Sequence, residues 1–251
     1  MKKYILTFVI VTQAFMSCKQ DKEKQVIIKS NIVKEMVITN VSVITMKNNE
    51  VLANKDVVIK NGKITSMSGT KNADYKDMIV LEGKGKYIMP SLSDAHVHLP
   101  KNENELEKFL TLNLINGVTK LRSMRGDWKH LEWRNKHNTK ASIYPKLYLS
   151  APPIFRRHDF NSEQMEKYVE NAKAFDFIKI LSIKNETLFK ELDSLCKVNG
   201  ISIGGHFPSN ISDKQLFKSN YTSFEHLGGL TVQLELLDER LQEIKKNNIF
   251  I

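Results

Sequence analysis

Cysteine is nearly missing from this chain of 251 residues, which has only Cys18 and Cys196. A disulfide framework is therefore excluded, and a modified Cys18 would leave no intramolecular pair at all. Arginine is scarce, and no basic block is interleaved with aromatic residues. The formal charge of +10 rests mainly on scattered lysines, which reads as solvated surface and argues against a nucleic-acid partner. Long hydrophobic runs are also lacking. The one continuous apolar stretch, about 13 residues from Tyr4 to Met16, falls short of the ~20 a membrane-spanning helix needs. There are no internal repeats and no low-complexity segment. What is present is a hydrophobic content of 41%, enough for one large domain or a large domain with a smaller companion.

The first 18 residues, MKKYILTFVIVTQAFMSC, combine a basic start, a short apolar run, a small residue and a cysteine. They resemble a bacterial lipoprotein signal, which implies cleavage before Cys18, lipidation of that thiol, and a domain anchored through it to a membrane of the bacterial cell envelope. Phe15 and Met16 depart from the usual residues before such a cysteine, and an ordinary secretory signal is the alternative. Residues 19–33, beginning KQDKEKQ, are a polar tether. Cys196, in "LDSLCKVNG", falls at a helical apolar position and is expected to be an inert core thiol.

From 34 to 88 the pattern is short β runs, "VITNVSVIT", "DVVIKNGKITSM" and "MIVLEGKGKYIM". Asn61-Gly62 is a two-residue hairpin signal, because both central positions of that turn need positive φ. This stretch is expected to be a small β-sandwich domain. After Pro90 the texture changes. Strand candidates "SDAHVHL", "GVTKLRSM", "KLYLSAP", "FDFIKIL", "ISIGGHF" and "SFEHLGG" alternate with amphipathic segments such as "ENELEKFLTLNLIN" and "NETLFKELDSLCKVNG". That alternation predicts an α/β fold over 89–251, with about six strand-helix units around a parallel sheet. A closed (β/α)8 barrel needs eight, so the expectation is an incomplete TIM-type barrel, with its active groups at the carboxyl ends of the strands.

His96 and His98, in "SDAHVHLP", are two residues apart, and on a strand such residues share a face about 6.6 Å apart. They can aim both imidazoles at one ion, or they can be hydrogen-bonded groups that happen to alternate. Lys179 in "FDFIKIL", His206 in "ISIGGHF" and His226 in "SFEHLGG" each end an apolar run in the same way. A lysine inside "FIKI" is costly to bury as a cation. Its compensation is a salt bridge, or conversion of the neutral amine by carbon dioxide to a carbamate, an anionic oxygen ligand for divalent metals. Histidines on neighbouring strands supply neutral nitrogen ligands.

Taken in order, "YIMPSLSDAHVHLP", "GVTKLRSM", "DFIKIL", "GGHFPSN" and "SFEHLGG" resemble the amidohydrolase superfamily, in its imidazolonepropionase-like and Xaa-Pro dipeptidase-like branch. The resemblance covers roughly residues 36–251. It implies a metal-dependent hydrolase of carbon-nitrogen bonds, acting on a small cyclic amide or a dipeptide and using one or two divalent ions, zinc in the first instance. By this resemblance His96 and His98 bind the more buried metal, Lys179 is the carbamylated bridge, and His206 and His226 bind the second. A metal would lower the pKa of a bound water toward ~7 and polarise the scissile carbonyl. His158, in "APPIFRRHDF", matches a substrate-contacting position loosely, with Arg156 and Arg157 where relatives carry glycine, and a surface role is the alternative. Arg122 in "KLRSM" is expected in a structural ion pair, and His130 and His137 are expected on the surface.

The resemblance also implies an aspartate, ending an eighth strand, as general base. No such strand follows the sixth strand and its helix, and Asp94 is not assigned the role. The expectation is a piece of a longer hydrolase. The alternatives are a non-catalytic envelope lipoprotein that keeps a remnant barrel as a binding module, and another α/β fold in which the histidine pairs are satisfied core groups.

Overall fold

The computed structural model describes residues 35–69 and 75–251. The expected leader over 1–18, the lipidation site Cys18 and the tether over 19–33 lie outside the described residues. The chain first lays down β1 (Glu35–Ile44), β2 (Val51–Lys60), β3 (Lys63–Gly69), β4 (Ile79–Glu82) and β5 (Tyr87–Ile88). Asn61 and Gly62 make the tight turn from β2 to β3, both with the left-handed φ that the dipeptide predicts, 50° and 73°. These strands form one five-stranded sheet in the order β3-β2-β1-β4, with β5 also on β1. The sandwich expected over 34–88 is therefore corrected to a single sheet among the described residues. The reason lies in β1, which is ten residues long and takes two parallel partners in succession: Met36–Thr39 pair with β4, and Ser42–Val43 pair with β5. Short runs that read as strands of two layers are in fact neighbours along one edge. Val41, Val43 and Val57 form the small core beneath them.

From Leu92 strands and helices alternate: β6 (Leu92–Val97), α1 (Glu103–Ile115), β7 (Val118–Ser123), α2 (His130–His137), β8 (Lys146–Leu149), α3 (Ser162–Ala172), β9 (Phe177–Ile180), α4 (Glu186–Asn199), β10 (Ser202–Gly205), α5 (Asp213–Leu216), β11 (Tyr221–Phe224) and α6 (Leu237–Lys246). All strand pairs here are parallel and sequential. β6-β7-β8 and β9-β10-β11 are two ladders, joined where Ser150 bridges Phe177 and the Ala151 amide donates to the Phe177 carbonyl. The result is an open arc of parallel strands with helices packed outside it, and no closed barrel is found among the described residues. One expectation changes at its far edge. The Phe224 amide donates to the Phe250 carbonyl and the Phe250 amide to the Thr222 carbonyl, so the segment after α6 returns to form an isolated parallel bridge beside β11. "NNIFI" is too short for its period to be read in sequence.

The helices show why the amphipathic segments fold as they do. Asn161 caps α3 by accepting from the Gln164 amide while the Gln164 side chain accepts from the Asn161 amide, a reciprocal box that satisfies two free donors. Asn185 caps α4 in the same way from one side, and Gly200, in the left-handed region at φ 65°, ends it. Leu188, Phe189, Leu192 and Cys196 line the inner face of α4. Cys196 is fully buried, and burial pushes its thiol up to about 12, the inert core group expected.

Helix α2 corrects another expectation. His130 and His137 are each only 4% exposed. Its sequence, HLEWRNKH, carries charge all round, so no apolar period announces a helix. It is held instead by Trp133, on which His130 stacks, and by His137 packed edge-on to Tyr144. His130 Nδ1 and His137 Nε2 have no hydrogen-bond partner among the described residues.

Two outcomes follow. Phe189→Ala, at a fully buried position, should cost about 3–5 kcal/mol in a denaturant titration. Burial also holds the His130 and His137 pKa values below the ordinary histidine value. The unfolded chain thus binds more protons as the pH falls through about 6.5, and that part of the stability is full above this pH and lost below it. Urea midpoints taken from pH 7.5 to pH 5 should fall less steeply in the His130→Phe, His137→Phe double variant than in the natural chain. Equal slopes would refute a buried, neutral state for the pair.

Candidate active site

Parallel strands that lie side by side bring their carboxyl ends to one rim, and residues far apart in sequence meet there. His96 lies on β6 and His98 just beyond it; their ring centroids are 5.5 Å apart. His226, two residues past β11, lies 4.7 Å from His96 and 5.3 Å from His206, which follows β10. The four histidines expected to act together are thus a connected group. Lys179 enters from the middle of β9, 1% exposed, and its Nζ has no hydrogen-bond partner among the described residues.

Backbone geometry at this rim is special. Gly205, at φ 145°, packs against β9 so closely that a built Cβ would stand 2.0 Å from the Ile180 carbonyl oxygen. No side chain fits before His206. His226 itself is left-handed, at φ 71°, a conformation that costs a non-glycine residue energy and is found disproportionately at functional sites. The Tyr221 hydroxyl donates to the His206 carbonyl at 2.7 Å and fixes the backbone at that histidine.

One residue the sequence reading missed is Glu225. Its side chain is 10% exposed. Oε1 accepts from Arg122 Nη1 at 2.7 Å and from Ser223 Oγ at 2.9 Å, and Oε2 lies 2.8 Å from His96 Nδ1. Arg122 also donates to Ser223 Oγ at 2.8 Å and stacks 4.2 Å above the Phe177 ring. A Cβ on Gly204 would stand 3.0 Å from Arg122 Nη2 and 2.7 Å from Ser223 Oγ, so glycine there leaves room for this network. Arg122 thus forms the structural ion pair expected of it. The signal that would have found Glu225 is an acidic residue ending an apolar strand immediately before a candidate ligand.

Electrostatics favour neutral groups. Burial, opposed by Glu225 and helped by Arg122, brings Lys179 down to about 8. Burial chiefly, then the charges of His96, Arg125 and Lys179, lowers His98; burial, then Lys179 and His226, lowers His206. Burial pushes Glu225 up, but hydrogen bonds from Arg122, His96 and Ser223 outweigh it and hold the carboxyl below its ordinary value.

Neutral imidazoles and a poorly solvated, partnerless amine are the donor set that divalent metals and a lysine carbamate require, so these residues fit a metal centre in kind. Their nitrogens do not yet converge: among the described residues no group of three or more His, Cys, Asp or Glu side chains is gathered as an ion would need. The rings pack tilted against one another instead. Beside His206 and His226 a cavity of about 290 Å³ is lined by these two and by Arg156, Ser182, Asn210 and Glu225.

The remaining candidates fall elsewhere. His158 is folded into its own loop, where its Nδ1 accepts from the Phe155 amide and its ring meets Phe155 and Phe160. Its neighbour Arg156, not His158, lines the cavity. Asp94 is exposed and accepts from the His96 amide at 3.0 Å.

An arc of sequential parallel strands with a small β sheet before it is the fold of the solved amidohydrolases that superpose on this chain. A Xaa-Pro dipeptidase with methionine bound in its active site superposes with a TM-score of 0.69 at 16% identity, over 86% of this chain and 66% of its own. Bottromycin amidohydrolase gives 0.65 at 21% identity over 85% and 48%, and phenylurea hydrolase B gives 0.65 at 12% over 86% and 64%. The chain therefore spans less than two thirds of the length of these proteins. No protein-family model and no curated protein matches the sequence.

Lys179→Met removes a desolvated, unpartnered amine and should raise stability at pH 7 by about 1–3 kcal/mol. Because the folded pKa is the lower one, the unfolded chain binds more protons between about 8 and the ordinary 10.5. Stability of the natural chain should rise with pH across that window, and the advantage of the variant should shrink. Chemical denaturation of both at pH 7 and pH 10 reads this, and a destabilised variant would contradict a partnerless lysine.

Proposed function

We propose that the chain carries the metal centre of a hydrolase that cleaves a carbon-nitrogen bond in a small amide or dipeptide. The observation that carries this reading is the meeting of His96, His98, His206 and His226 around a rim reached by a buried lysine with no partner. His96 and His98 would hold one divalent ion, His206 and His226 a second, and Lys179 would lie between them; zinc suits nitrogen ligands with an oxygen bridge. A bound metal would activate water and polarise the substrate carbonyl.

What the chain's own residues do can be stated separately. In its neutral form the Lys179 amine can attack carbon dioxide, forming an N–C bond and releasing one proton to solvent, and this replaces an unpaired amine by an anion. Glu225 Oε2 stands 2.8 Å from His96 Nδ1, and Arg122 neutralises Glu225. The 290 Å³ cavity has room for a small ligand, and Arg156 and Asn210 along its wall can orient one. Names of the solved neighbours agree in chemistry, since a dipeptidase, an amidohydrolase and a phenylurea hydrolase all act on carbon-nitrogen bonds. Placement in the bacterial cell envelope, through the leader and a lipid on Cys18, belongs to the same proposal. Among the described residues no helix is long and apolar enough to cross a membrane.

The test is metal content and turnover. Purified protein should retain divalent metal and hydrolyse members of a panel of dipeptides and N-acyl amino acids, and His96→Ala and Lys179→Ala should each abolish both. Metal retention with no hydrolysis across the panel would favour the binding-module reading. Absence of bound metal would sink the proposal.

A further inference from the structure

We infer that Glu225 is a positioning residue that fixes His96 in its Nδ1-protonated form and so presents the Nε2 lone pair to the rim. Oε1 is committed to Arg122 Nη1 at 2.7 Å and Ser223 Oγ at 2.9 Å, both donors. A carboxylate paired with an arginine is ionised and accepts only. The proton shared across the 2.8 Å contact between Oε2 and His96 Nδ1 therefore belongs to the ring. In a neutral imidazole with hydrogen on Nδ1, the lone pair lies on Nε2.

The network is rigid enough to enforce this choice. Arg122 cannot swing away without losing its stacking on Phe177 and its bond to Ser223, and Gly204 is the gap through which it reaches Glu225. Both Glu225 and His226 face the rim because the chain turns left-handed at His226, so the strand alternation that would send them to opposite faces is broken at that residue. A carboxylate from the sixth strand of the arc thus sets the proton position of a ring on the first strand, across 129 residues of sequence.

The metal consequence rests on the proposal above, whereas the proton position does not. Nitrogen-15 spectra of histidine-labelled, metal-free protein at pH 8 should show His96 as the Nδ1–H tautomer, although free imidazole side chains prefer Nε2–H. Glu225→Gln keeps the volume and an acceptor for Arg122 but turns an amide donor toward Nδ1. His96 should then invert to Nε2–H, and Zn2+ affinity measured by competition titration should fall by about 10- to 100-fold. An Nε2–H His96 in the natural chain overturns the inference even if the variant does not fold, and so does an unchanged tautomer in a folded E225Q. Equal Zn2+ affinity in E225Q despite an inverted ring overturns the metal consequence. Natural protein that binds no Zn2+ but holds the Nδ1–H tautomer defeats the metal-centre proposal and supports the role of Glu225.

Discussion

Everything at the rim follows from a cation kept out of water. Lys179 stands in a strand whose residues are all buried, and its ammonium would need either a counter-charge or hydration to be stable there. The nearby carboxylate is already taken: Glu225 is divided between Arg122, Ser223 and His96. The lysine is thus pushed toward its neutral, nucleophilic form, and its positive charge, while it lasts, discourages protonation of the histidines around it. A protein selected for stability alone would place a methionine or leucine at that position. An amine there is a local cost in free energy that packing alone does not explain.

Much of this was legible in the amino-acid order because the governing periods are simple. Apolar runs of strand length ending in His or Lys, separated by capped amphipathic helices, specify both the parallel arc and the rim on which those residues meet. His96, His98, Lys179, His206 and His226 could be chosen for that reason. Glu225 carried a weaker signal, its place before a candidate histidine, because adjacent residues on a regular strand face opposite ways and the left-handed turn at His226 brings both to the rim. His130 and His137 were misplaced for a different reason. Their helix is too short and too charged for its apolar period to be read, and its burial depends on its own Trp133 and on Tyr144 beyond it. The single β sheet was taken for two layers because alternation reports that a strand is half-buried and says nothing about which strand lies beside it.

The arc and the small sheet divide the labour of the chain. In the arc, helices cover the outer surface while glycines at 204 and 205 thin the wall where side chains must pass or backbones must touch. The sheet before it is poorly covered, with β3 and β4 exposed along their whole length. Chemistry-bearing residues are confined to the well-packed part, where a misplacement of less than an ångström is resisted by surrounding contacts.

The left-handed backbone at His226 sets folding against the side chain. At φ 71° glycine or asparagine would sit with less strain than histidine. Replacement by either would relax the backbone while deleting the ring, so folding stability does not by itself keep an imidazole at this position.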